Sequence, residues 1–141
     1  MSKTLKVYLR SVKEYKLWRE HILVDSGKKC VISGSIVKLE IHHLDTNFAS
    51  FLGDVLKMFP NILANSLITA IPLKDLERLH NIFFDRHRLL KGVPMTKKLH
   101  KLFHQQYGKY GNTREQVKQF KADYLTSRSV RSRLLPSDLP D

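Results

Sequence analysis

Seven histidines stand in this chain of 141 residues, and four of them fall at spacings that suit metal or proton chemistry. His42 and His43 are adjacent and follow Ile36-Val-Lys-Leu-Glu-Ile41, whose composition reads as a β-strand. Neighbouring side chains on a strand point to opposite faces, so the two rings cannot do the same job. His100 and His104 lie four apart in a stretch of helical period, which puts both rings on one face, able to chelate a single ion. Leu99, Leu102, Phe103 and Tyr107 form the apolar stripe of that helix, so the two rings flank the seam where it meets the body of the protein. The other histidines carry less. His80 and His87 share a helical face with Leu76, Phe83 and Leu90 and suit a structural role, although His87 lies close to that helix's end. His21 sits on the polar side of an earlier helix and needs no function.

The elements that must position these rings follow from local pattern. Ser11-Val-Lys-Glu14 reads as a capping box, with a helix over about 12–24 that stops near Gly27. Cys30-Val-Ile-Ser33, a Gly34-Ser35 turn and Ile36–Ile41 read as a β-hairpin running into His42. Phe48, Phe51, Leu52, Val55, Leu56 and Phe59 keep helical spacing up to Pro60. Pro72 opens a further helix with Gly92 as its stop, and Thr96 caps a stretch running to about Tyr107. Thr113-Arg-Glu-Gln116 is a second capping box and starts a helix carrying Val117, Phe120 and Tyr124. From Ser127 onward Ser, Arg and Pro dominate, which predicts an arm or disordered tail over 127–141 behind a single domain over 1–126. The fold class expected is α+β, mostly helical.

Charge narrows the partner. Lys and Arg number 25 against 13 Asp and Glu, a formal net charge of +12. A surface so basic attracts polyanions, because neutralising phosphates releases counterions. Arg86, Arg88, Lys91, Lys97, Lys98, Lys101, Lys109 and Arg114 follow one another without an intervening Asp or Glu, and this window contains the His100–His104 pair. Arg86, Arg88, Lys97, Lys98 and Lys101 are the candidate phosphate contacts. The one cysteine, Cys30, excludes an internal disulfide and a thiolate zinc knuckle, and fits a reducing cytoplasm. No run approaches the ~20 apolar residues of a membrane span, and the N-terminus lacks the apolar core of a signal peptide.

Tyr15-Lys-Leu-Trp-Arg-Glu-His-Ile-Leu23, Cys30-Val-Ile-Ser-Gly34 and Leu39-Glu-Ile-His-His-Leu44 together resemble the front half of HNH endonucleases, especially phage-encoded ones. Gly92-Val-Pro-Met95, Leu99-His-Lys-Leu-Phe-His104, Tyr107-Gly108, Gly111-Asn-Thr113 and Phe120 are similar to the back half. The paired His followed by His-x-x-x-His also looks like the colicin DNases, which share the ββα-metal core. The resemblance implies a ββα-metal centre between the hairpin and the 96–107 helix. It implies His43 as general base, His42, His100 and His104 as ligands, and an open coordination position for a phosphate oxygen. One divalent ion is implied, and imidazole ligands suit Zn, Ni or Mn better than Mg. The family's middle Asn is expected near Lys91 or Gly92 and is missing there. His87 is taken as its catalytic replacement, ahead of Asn81. The expected activity is metal-dependent hydrolysis of double-stranded DNA in the cytoplasm, by a monomer, with no membrane and no small-molecule cofactor. The rival readings are a non-catalytic DNA-binding protein with a structural zinc and a nuclease acting on RNA.

Overall fold

The computed structural model describes residues 2–126, so the expected tail over 127–141 lies outside the described residues. The fold is α+β and mostly helical, with six α-helices and one two-stranded antiparallel sheet among the described residues. None of these helices is long and apolar enough to cross a membrane. The chain groups into two compact units. One is built from the segment up to Glu20 and Phe48–Leu90, the other from His21–Asn47 and the segment from Lys91 onward.

The first unit is helical. α1 (Leu5–Ser11) and the start of α2 (Lys13–Asp25) join α3 (Phe48–Leu56) and α4 (Leu73–His87). Leu5, Leu9, Phe48, Phe51, Leu52, Val55, Leu79 and Phe83 make its core, so the helical spacing of the 48–59 segment faces inward as its period predicts. Ser11 does not cap α2 as expected. Its hydroxyl donates to the Tyr8 carbonyl at 2.8 Å, closing α1 instead. That leaves Val12 as an extended residue between two helices. His80 is fixed between the Tyr8 hydroxyl (2.9 Å) and the Glu14 carboxylate (2.7 Å), in line with a structural role.

The second unit carries the sheet. β1 (Leu39–His43) pairs antiparallel with β2 (Gly92–Thr96), Leu39 opposite Thr96 and His43 opposite Gly92. This corrects two expectations. The partner of the histidine-bearing strand is not Cys30–Ser33, and Gly92 opens a strand where a helix stop was predicted. Cys30–Ser33 cannot run as a strand because it closes on itself. The Gly34 N–H donates to the Cys30 carbonyl at 2.9 Å, Gly34 is left-handed (φ +78°), and Cys30 Sγ accepts the Ser33 N–H. The same sulfur accepts the Thr96 N–H at 3.4 Å, tying the turn to the end of β2. Gly92 is required by close approach. A Cβ there would lie 2.9 Å from Ile41 Cγ2 and 3.0 Å from the His42 carbonyl oxygen.

β2 runs directly into α5 (Lys97–Tyr107), where the Thr96 hydroxyl accepts the Leu99 N–H at 3.2 Å, the cap the sequence predicts. α6 (Arg114–Thr126) begins with the predicted capping box in both directions, Gln116 N–H to Thr113 Oγ1 (3.2 Å) and Thr113 N–H to Gln116 Oε1 (3.0 Å). Val93, Met95, Leu99, Phe103, Val117 and Phe120 form the core beneath the sheet. Truncating a buried ring such as Phe103 costs about 3–5 kcal/mol, so α5 is firmly seated.

Candidate metal centre

Two elements deliver three imidazole nitrogens to one point. β1 presents His42, and successive turns of α5 present His100 and His104, because residues four apart share a helical face. His100 Nε2 lies 3.1 Å from His42 Nδ1 and 2.9 Å from His104 Nε2. The His42 ring packs edge-on against buried Phe103, ring centroids 4.8 Å apart, so the helix that supplies two of the nitrogens also orients the third.

Proton bookkeeping shows what these nitrogens offer. His104 Nδ1 faces the Gly108 carbonyl at 2.8 Å, and a carbonyl only accepts, so Nδ1 carries the hydrogen and Nε2 a lone pair. His100 Nδ1 faces Glu40 Oε1 at 3.0 Å, with the same result. Two inward lone pairs at 2.9 Å repel unless something positive lies between them. A proton is poorly placed to do so. Burial, assisted by the neighbouring imidazoles, lowers the His42 pKa to about 3. Burial also lowers that of His100, against the opposing pull of Glu40. His42 and His100 are therefore neutral near pH 7, the form in which imidazole binds a metal. Among the described residues, three groups and no fourth come within ligand distance of one another. A three-His donor set with an open position fits a divalent ion such as Zn, Ni or Mn.

The outer contacts are those that orient metal-binding imidazoles: a carboxylate on one ring and a backbone carbonyl on another. Sequence reasoning missed Glu40, although its place two residues before His42 puts it on the same strand face. It also missed Asn112. Its side chain is buried and donates to the Gly108 carbonyl (3.2 Å) that holds His104, while the Asn112 backbone carbonyl accepts the Asp45 N–H at 2.6 Å. Asn47 Nδ2 donates to the Lys109 carbonyl at 2.9 Å, so two asparagines tie the loop after β1 to the loop after α5.

A cleft of ≈ 540 Å³ opens beside His100 and His104, with Lys38, Lys97, Lys98 and Lys101 on its walls. Lys97, Lys98 and Lys101 are thus brought together along one cleft, and Lys38 joins them from a part of the sequence that gave no sign of it. Arg86 and Arg88 are exposed residues of the other compact unit, and Arg88 lies 3.7 Å from Asp85. His43 is buried at the end of β1, on the strand face opposite His42. His87, expected as a catalytic replacement for the missing Asn, is completely buried at the end of α4. Trp18 (4.4 Å), Phe83 (5.2 Å, stacked), Tyr15 (5.3 Å) and Phe51 (5.5 Å) surround its ring, distances being between centroids. An imidazole walled in by aromatic rings has no solvent-borne group to act on, which accounts for His87 as a packing residue.

Comparison of the chain with protein-family models, with characterised proteins and with solved structures finds no match.

Proposed function

We propose that this chain is a metal-dependent endonuclease of the HNH type, hydrolysing phosphodiester bonds of double-stranded DNA. The observation that carries the reading is the convergence of His42 Nδ1, His100 Nε2 and His104 Nε2, with the tautomers of the last two fixed by outward hydrogen bonds. Support comes also from the lysines around the adjoining cleft, since a structural zinc needs neither an open position nor a polyanion surface.

A divalent ion held by His42, His100 and His104 would supply electrostatic stabilisation of the charge that builds on the phosphate and leaving oxygens. The rest of the work falls to the chain. Glu40 and the Gly108 carbonyl hold two rings in register. Lys38, Lys97, Lys98 and Lys101 neutralise the flanking phosphates and set the strand in the cleft. His43 takes the proton from the attacking water, which a neutral imidazole does well near neutral pH. The β1–β2 ladder holds His43 beside His42, and Gly92 allows the strands to close around the pair.

The test is incubation with supercoiled plasmid and a panel of divalent ions, beside an EDTA control. Nicked or linear product that depends on the ion is the expected outcome. No cleavage with any ion, together with global unfolding on chelation, would reassign the three histidines to a structural clip.

A further inference from the structure

Val37, on the wall of the cleft, and Ile36, its neighbour in the chain, are two residues that the fold does not use. Ile36 and Val37 are adjacent, β-branched, and 71% and 54% exposed. A single exposed aliphatic needs no explanation, but this pair is held out by a fixed frame. The Cys30 N–H donates to the Ser35 carbonyl (2.8 Å), the Ser35 N–H to Ser33 Oγ (3.2 Å) and the Val37 N–H to Ser35 Oγ (3.3 Å). At the far end, the Lys97 N–H donates to the Lys38 carbonyl at 3.0 Å. Lys38 itself is left-handed (φ +52°), a conformation that costs a residue with a side chain about 1 kcal/mol. The chain thus keeps a strained lysine to turn from this loop into β1, while two apolar side chains stay in water.

Charge selects the occupant. Ser35, Val37 and Lys38 share the cleft with Lys97, Lys98 and Lys101, and the one acid there, Glu40, is engaged with His100. Stiff apolar side chains bordered by lysines suit a duplex whose phosphates lie on the cations and whose groove floor receives the aliphatic groups. Proteins that bind the minor groove use apolar wedges in this way and kink the helix where they enter. We propose that Ile36 and Val37 form a wedge that enters the minor groove of duplex DNA and partly unstacks one base step. This rests on the nuclease reading for the choice of ligand. The wedge gives the protein a preference for easily unstacked pyrimidine–purine steps without any hydrogen bond to a base edge.

The experiment uses the full chain and a short duplex with a central TA step, 2-aminopurine beside that step and a donor–acceptor dye pair at its ends. Signals are read by stopped-flow mixing, before strand scission. The unmodified chain is expected to raise 2-aminopurine fluorescence and to shorten the end-to-end distance. Ile36→Ser/Val37→Ser changes only exposed side chains. It is expected to lose both signals and to bind about ten-fold more weakly, with the same dependence on salt. Lys97→Ala/Lys98→Ala should instead flatten the slope of log K against log salt by about two units. A double serine variant that binds and bends the duplex like the unmodified chain overturns the wedge while leaving the nuclease reading intact. So does one whose only change, by sedimentation, is in oligomeric state. An unmodified chain that binds no duplex under any salt condition overturns both.

Discussion

His42 and His87 are both buried imidazoles, and burial lowers the pKa of each, to about 3 and about 4. Only what faces them differs. Around His87 stand the rings of Tyr15, Trp18, Phe51 and Phe83, packed against the imidazole. In front of His42 stand two further nitrogens, that of His100 3.1 Å away, whose protons have been drawn to the opposite side of their rings. A perturbed pKa therefore does not by itself mark a site. The mark is a perturbed group whose neighbours are arranged for a ligand rather than for packing.

The sharpest way to break this contrast is to remove a nitrogen from each environment. His100→Ala and His104→Ala are expected to abolish plasmid cleavage and to lower metal affinity by titration calorimetry. His80→Ala, which breaks the links to Tyr8 and Glu14 and the ring contact with Phe84, should leave both unchanged apart from stability. If either ligand variant retains metal affinity, the ion is held elsewhere.

His43 comes next. His43→Ala should bind metal and DNA nearly normally yet lose on the order of 10²–10⁴-fold in turnover, the usual contribution of a general base. Cleavage at near the original rate would remove His43 from the chemistry, leaving the metal centre untouched. A smaller effect is expected at Glu40. Glu40→Gln keeps an acceptor oxygen near His100 Nδ1 but removes its charge, and outer contacts of this kind are worth about 10–100-fold in metal affinity. Equal affinity for the two proteins would show that the carboxylate merely rests against the ring.

How much of this was legible in the sequence depended on the range of the interaction. The caps at Thr96 and Thr113 and the inward faces of α3 and α5 are set by residues three or four apart, and the structure has them where the pattern put them. The pairing of β1 with β2 is not local. Two short apolar runs flanking Gly34-Ser35 carry the signature of a hairpin, and nothing in the run Gly92–Thr96, with Pro94 at its centre, announces the partner. The three-histidine cluster was legible because its residue type is rare and its helical pair is local. Lys38 and Asn112 were not, since their parts in the site come from contacts with Lys97 and Gly108 that no spacing encodes. His87 shows the opposite limit. Helical period put it on an apolar face, which favoured packing, and a missing Asn in a resemblance argued for chemistry; the aromatic cage now favours the period.

That last point gives the smallest expected effect on activity and a clear effect on stability. His87 is fully buried, and its pKa in the fold, about 4, lies below the ordinary value near 6.5 of an unfolded chain. Between these values the unfolded chain takes up a proton that the folded chain refuses, so lowering the pH favours unfolding. The contribution is complete above about pH 6.5 and is lost as the pH falls through about 4. At pH 5 the loss from this residue is about 2 kcal/mol. His87→Leu removes the titrating group and keeps an apolar side chain in the cage. Its absolute stability will differ from that of the parent through packing, so the informative quantity is the change between pH 7 and pH 5 in urea unfolding. That change is expected to be about 2 kcal/mol smaller in the variant, since His42 and His100 contribute equally to both proteins. Plasmid cleavage at pH 7 should be the same for both. Parallel pH profiles would mean that the cage does not hold His87 neutral. A folded variant that no longer cleaves would return His87 to the reaction and undo the contrast between the two imidazoles.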